Sequence, residues 1–346
     1  MKISVDINHP ANVHYFKNFI KEMEDRGHEI LITASNKEIS FKLLDLYGFK
    51  YHKIGSYGHS IIEKLIKIIW LDIKMFIAVR KFQPDIFLGF ASVRSAHIGR
   101  LLGKKSIILT DTEHAKLGIA LFESFSDFIL TPNCFLGDFG KKHVRFNSLM
   151  ELMYLHPKRF IPDSNTLKEI GLSESDKFVV IRFVSWEASH DIGIKNVSDK
   201  LKLKLIKMIE KYAKVIISSE NKLPEELVVY QPEVSPDRIH DLLYYATLYI
   251  GEGATMASEA AVLGTHALYL NPLFAGILEE EVKYDLLFHF DKLNEGNYNE
   301  ITNKTIQMLS DTQIIKKGWE KRDRLLDDKD DATDWLINYV EQFSPK

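Results

Sequence analysis

Cysteine is almost missing from this 346-residue chain. Cys134 stands alone, so neither an intramolecular disulfide nor a CxxC metal clip can form. A surplus of charge is missing as well. Lys and Arg total 45 against 48 Asp and Glu, a net charge of -3, which gives no electrostatic reason to expect nucleic acid as a ligand. The most apolar long stretch, residues 60–82, is interrupted by Glu63, Lys64, Lys67, Asp72 and Lys74, and so many charges are costly at bilayer depth. The sequence opens on the apolar Lys2–Ile7 rather than on a basic and then apolar export signal. Together these absences predict a cytoplasmic protein. There is no Walker Gly-x-x-x-x-Gly-Lys-Ser/Thr, no HExxH and no GxSxG, so P-loop hydrolysis, zinc proteolysis and serine-esterase chemistry have no motif support. No convincing Asp-x-Asp pair of the metal-dependent transferase kind is found, and neither a metal nor a cofactor is expected.

What is present is material for a large interior. Apolar residues make up 45% of the chain and aromatics 11%, and a prior of ~150 residues per domain suggests two domains. Strand and helix periods alternate from the start. Strands are predicted at 2–7, 29–34, 51–54, 85–90, 106–110 and 128–131, with helices between them, including a long one over 60–82. Strands apolar on both faces and separated by helices indicate a parallel sheet covered on each side. The period lapses between Cys134 and Pro162, where Pro157 and Pro162 punctuate the chain, and alternation then resumes. The second set of strands is expected at 178–183, 215–219, 227–230, 248–251 and 266–270. The predicted fold is therefore α/β, with two doubly wound Rossmann-like domains, 1–160 and 161–346, facing a central cleft. Ligands bind such sheets at the carboxyl ends of their strands.

The sharpest of the strand-to-helix loops is Gly251-Glu252-Gly253-Ala254-Thr255-Met256. Glycine lets backbone approach an anion, and the first amides of a helix have no internal partner, so a diphosphate fits there. Thr255 adds a hydroxyl donor. Glu259, one turn further on, can accept hydrogen bonds from two ribose hydroxyls. Arg182, ending the strand at 178–183, offers a fork of donors to a diphosphate. His190 can reach the sugar or phosphate, and Glu220 follows its strand where a nucleotide would lie. His240 reads as a core or cap histidine. The run Asp327–Asp331 reads as a solvated helix end.

The segment 249–272, with Gly253-Ala254-Thr255, Glu259-Ala260-Ala261 and Leu263-Gly264, resembles the nucleotide-sugar loop of GT-B glycosyltransferases. It is also similar to the matching loop of non-hydrolysing UDP-N-acetylglucosamine 2-epimerases. Most of the chain resembles an archaeal and bacterial family of GT-B-like proteins, through Asp111-Thr112-Glu113, Tyr154-Leu155-His156-Pro157, Ser189-His190-Asp191-Ile192-Gly193, Ser218-Ser219-Glu220 and Gly251–Ala261.

The resemblance implies a UDP-type nucleotide-sugar ligand, a donor side in the second domain and an acceptor side in the first. GT-B transferases often keep a histidine base after the first strand. Here that position falls near Asn12, whose amide cannot serve, and it is flanked by His9 and His14, of which His14 is the candidate. In the epimerases a glutamate near the place of Asp111 and Glu113 takes part in proton transfer or elimination, which paired carboxylates suit; the same residues also suit a helix N-cap. Three functions are compatible with this reading: a metal-independent glycosyltransferase acting on a glycan or lipid-linked acceptor, a nucleotide-sugar epimerase or hydrolase, and a non-catalytic nucleotide-sugar binder. The helix over 60–82 has Ile61, Leu65, Ile69, Trp70 and Phe76 among Lys64, Lys67, Lys74, Arg80 and Lys81. That pattern suits either a peripheral membrane contact or an ordinary covering helix with a basic edge.

Overall fold

The structure is a computed structural model that describes residues 1–56, 61–183, 199–219, 223–290 and 295–344. The first unit comprises Met1–Arg159 and Lys329–Lys346, and the second Phe160–Asp328. Residues from 329 onward thus belong with the first unit, which departs from the assignment of everything up to 346 to the second.

The first unit runs β1 (Lys2–Ile7), α1 (Pro10–Asp25), β2 (Glu29–Ser35), α2 (Ser40–Leu46), β3 (Tyr51–Gly55) and α3 (Ile61–Val79). It continues with β4 (Ile86–Phe90), α4 (Val93–Leu102), β5 (Lys105–Leu109), α5 (Lys116–Glu123), β6 (Phe128–Pro132), β7 (His143–Phe146) and α6 (Leu152–Leu155). Its seven strands pair in parallel in the order β3-β2-β1-β4-β5-β6-β7. β1 is buried on both faces, Ile3, Val5 and Ile7 alternating with Ser4 and Asp6, as a central parallel strand requires. α1 starts cleanly because His9 caps it, its Nδ1 accepting the Ala11 N–H at 3.2 Å, and Pro10 needs no amide partner at the first position. Its apolar stripe Val13, Phe16, Phe19, Ile20 and Met23 is buried. β7 and α6 lie inside 134–162, where the sequence shows no alternating period.

The second unit contains α7 (Asn165–Glu169), β8 (Phe178–Arg182), α8 (Asp199–Ile209), β9 (Lys214–Ile217), α9 (Ile239–Tyr245), β10 (Leu248–Gly251), α10 (Ala254–Val262), β11 (Ala267–Tyr269), α11 (Gly276–Lys283), β12 (Leu287–His289), α12 (Glu295–Ser310) and α13 (Ile314–Asp328). Its five strands are parallel in the order β12-β11-β10-β8-β9. The strand expected at 227–230 is instead part of a 3-10 turn, Glu225–Tyr230; Val228 and Val229 are exposed, so their β-branching does not reflect a place in the sheet. The core of this unit joins Val179, Ile181, Leu205, Ile209, Leu248, Ile250, Leu268 and Ile301.

After α13 the chain re-enters the first unit as α14 (Ala332–Glu341), which packs against α1 and α6. Asp331 is not a solvated helix end. It is buried, caps α14 through the Thr333 and Asp334 amides, and accepts both oxygens' worth of hydrogen bonds from Arg159 Nε at 2.8 and 2.9 Å. Arg159 also donates to Asp334 at 2.6 Å and to Glu22 on α1. No described helix is long and apolar enough to cross a membrane.

Candidate functional site

In the second unit, β10 lies in the middle of the sheet and delivers its loop between β8 and β11. Gly251 pairs with Arg182 across the sheet, and the Glu252 amide donates to the Arg182 carbonyl at 3.0 Å. Gly251 is demanded by packing: a Cβ there would lie 2.8 Å from the Arg182 carbonyl oxygen and still closer to the Tyr249 hydroxyl. Gly253 differs. Its φ is -91°, and an added Cβ would meet nothing within 4 Å, so neither conformation nor packing in this unit requires glycine. Gly253 is the N-cap of α10, no side chain caps it, and the first turn carries no acid. Ala254 and Thr255 are exposed. The helix therefore begins, at its positive end, with amides that no side chain caps.

Around this loop the polar side chains are organised. The Arg182 guanidinium donates to Ser218 Oγ at 3.0 Å from β8's carboxyl end. Glu252 is buried, with Lys202 of α8, itself only 1% exposed, 3.6 Å away; that ammonium also sits 4.8 Å from the Phe183 ring centre. Asn271 donates to the Glu252 carbonyl at 3.0 Å. Burial pushes the Tyr249 hydroxyl far above its ordinary range. Glu259 is buried on α10, and His240 Nε2 lies 3.0 Å from its Oε1, which orients the carboxylate. His240 is thus the core histidine the sequence suggests. Met256 is buried, placing its side chain beneath the helix start.

The carboxyl end of the first sheet carries a group that sequence reasoning missed. Arg94, fully buried, donates from Nη2 to both Asp6 oxygens at 2.9 Å and from Nε to Oδ2 at 3.2 Å. Ser92 and Thr33 donate to the same carboxylate at 2.6 and 2.8 Å, and Arg94 Nη1 reaches Ser35. Nothing in the spacing of residues 6, 33, 35, 92 and 94 signals this cluster; parallel pairing of β1 with β2 and β4 assembles it.

Asp111 and Glu113 follow β5 at this same end. α5 begins at Lys116 with Ala115 as its cap, so Asp111 and Thr112 do not cap it. Asp111 accepts from the Thr112 hydroxyl at 2.8 Å, and Glu113 Oε1 accepts from the Leu136 amide at 3.2 Å. Burial, with a smaller contribution from Glu113, raises the Asp111 carboxyl to about 6, which makes it a proton donor and acceptor near neutral pH. His14 is only 6% exposed; it stacks on Tyr154 with centroids 5.3 Å apart and its Nδ1 lies 3.3 Å from the Tyr47 hydroxyl. Its environment is that of a packed ring. His190 and Glu220 lie outside the described residues. Among the described residues, no three His, Cys, Asp or Glu side chains group as metal ligands do.

Two units, each a parallel sheet between helices, define the GT-B-like class. The chain belongs to the family described as Protein of unknown function (DUF354), whose profile matches residues 1–343. An uncharacterized protein of Methanocaldococcus jannaschii is 26% identical over 307 residues, 85% of this chain and 89% of that one. Among solved structures, MnaA of S. aureus with UDP aligns with a TM-score of 0.71 at 12% identity, over 99% of this chain and 96% of that one. The UDP-GlcNAc 2-epimerase of Methanocaldococcus jannaschii gives 0.67 at 14%, over 99% and 100%. The spinosyn rhamnosyltransferase SpnG with thymidine diphosphate gives 0.64 at 13%, over 98% and 99%. The fold is thus shared with a rhamnosyltransferase and with an epimerase.

Proposed function

We propose that the protein is a nucleotide-sugar enzyme of the glycosyltransferase type: its second unit holds the diphosphate of a UDP-type donor, whose sugar passes to a glycan or lipid-linked acceptor. The observation that carries this reading is Gly253, a glycine the unit does not need for its own folding, placed at the uncapped start of α10. A diphosphate needs that bare backbone, because its oxygens must come within hydrogen-bond distance of the Ala254, Thr255 and Met256 amides. Arg182 and the Thr255 hydroxyl supply further donors, and Gly251 and Glu252 set the loop's path. Glu259, oriented by His240, accepts from the ribose. Charge developing on the leaving diphosphate is met by donors already in place, the most effective form of electrostatic stabilisation. Structural neighbours solved with UDP and with thymidine diphosphate support a nucleoside diphosphate as the held part. From the sequence, His190 is proposed at the sugar or phosphate and Glu220 at the nucleotide.

One observation favours a second reading, epimerisation or hydrolysis of the nucleotide sugar itself. Asp111, beside Glu113 and with its carboxyl pushed up to about 6 by burial, suits proton abstraction and return at a sugar carbon, whereas His14, the base candidate of the transferase reading, is held among aromatic rings. Calorimetry with UDP should register binding to the wild type and, for Gly253→Val, at least about tenfold weaker affinity at unchanged melting temperature. Equal affinity of the two proteins would remove the loop from the site. Following UDP-N-acetylglucosamine alone by NMR separates the readings: an unchanged sugar leaves the transferase in place, and a new epimer or free UDP establishes the other.

A further inference from the structure

The outer face of α3 carries large apolar side chains with no cover. Ile69 is 67% exposed, Trp70 56%, Ile73 51% and Ile77 54%, while Leu71, Met75 and Val79 on the opposite side are buried against β3, α4 and their neighbours. At 100° per residue the four exposed side chains fall within a single stripe about 100° wide, continued over a little more than two turns. Isolated exposed apolar residues are ordinary; a stripe of this kind marks a contact surface.

Charge decides what kind of contact. Lys67 and Lys74, seven residues apart, line one edge of the stripe, and Arg80 and Lys81 follow directly after the helix ends at Val79. Lys74 places its ammonium 3.7 Å from the Trp70 ring centre. Glu63 pairs with Lys67 at 2.7 Å, so those two charges offset one another, and Asp72 is held by His97 Nδ1 at 2.7 Å, which leaves Lys74, Arg80 and Lys81 as the net positive charge. A second copy of this chain would bring the same basic edge against itself, which is repulsive. An anionic bilayer instead offers an apolar layer for the isoleucines, an interfacial zone for tryptophan, and phosphate groups for lysines whose stems reach outward. We infer that the Ile69–Ile77 face of α3 docks on anionic phospholipid with the helix lying in the plane of the surface. This inference stands independently of the nucleotide-sugar reading, and it names where a lipid-linked acceptor would be met if that reading holds.

Co-sedimentation of the full chain with vesicles tests it. At low salt the protein should bind vesicles of phosphatidylglycerol and phosphatidylcholine in equal parts, and far less to phosphatidylcholine alone. Ile73→Glu with Ile77→Glu should lower the partition by about tenfold or more, and Lys74→Gln or Lys81→Gln by about fivefold each on the anionic vesicles only. These positions are on the surface, so circular dichroism should show intact folding. Trp70→Phe should remove the blue shift of emission that vesicles induce, which ties binding to this helix. The proposal is overturned if the wild type ignores anionic vesicles, or if the glutamate variants bind as well as it does. It is equally overturned if light scattering shows that the wild type is a dimer that Ile73→Glu dissociates, since the face would then belong to a second copy.

Discussion

At the carboxyl end of the first sheet, Asp6 commits both oxygens to Arg94, Ser92 and Thr33, with every one of those residues buried. At the same end of the second sheet, Gly253 begins α10 with exposed neighbours and no capping side chain. The chemistry available at each end follows from this difference. A buried carboxylate and guanidinium that satisfy one another hold strands β1, β2 and helix α4 in register and offer little to a ligand. Backbone amides left at a helix start have no partner until an anion arrives. Mutually satisfied side chains therefore mark the scaffold here, and an uncapped helix start marks the place where binding is proposed.

The comparison breaks most visibly at Arg94. Arg94→Ala should cost about 3–5 kcal/mol in urea unfolding, because it leaves Asp6 charged and buried without its partner, and the pair Asp6→Leu with Arg94→Met should recover much of that. If Arg94→Ala keeps its stability and instead abolishes ligand binding, the first end is a site and the contrast fails. Next in size is Gly251→Ala, expected to cost about 1–3 kcal/mol because its methyl runs into the Arg182 carbonyl, a backbone atom of the neighbouring strand. Gly253→Ala, two residues on, should stay within about 0.5 kcal/mol of the wild type. Equal losses at both glycines would show that Gly253 serves the fold after all.

An effect seen only through pH concerns Asp111. Its folded-state carboxyl titrates at about 6, raised from 3.8 mainly by burial, so the folded form prefers the proton. The stability it contributes is full below pH 4 and is lost as the pH rises through 6. Asp111→Asn should remove that slope, a change on the order of 1–2 kcal/mol after solvent screening, seen as a flatter pH dependence of the unfolding midpoint between pH 4 and 7. An unchanged slope would mean that the carboxylate is well solvated and no better suited to proton transfer than any other surface acid.

The sequence exposes those parts that repeat over several residues. β1, α1, β4 and α4 show their periods because each is at least five residues long and bounded by turn residues, and Gly251–Met256 is visible because glycines beside a strand end have a backbone meaning. What spans the chain is not visible. The Asp6–Arg94 pair is 88 residues apart, and only the pairing of β1 with β4 joins its ends. Residues 227–230 read as a strand because valine and tyrosine favour strands, yet Val228 and Val229 are exposed in a tight turn, where the local proline and the lack of a sheet partner decide. His14 is the base candidate by its place beside Asn12 after the first strand, and the rings of Tyr47 and Tyr154 that enclose it come from elsewhere in the chain.

The return of α14 to the first unit has a consequence for the order of synthesis. On the ribosome, Arg159 emerges about 170 residues before Asp331 and Asp334, the acids that hold it. Until then α1 and α6 lack the helix that covers them, and their apolar flanks must wait in the open. The unit made first is therefore the one completed last, while the intervening segment, Phe160–Asp328, has every strand of its own sheet in hand beforehand.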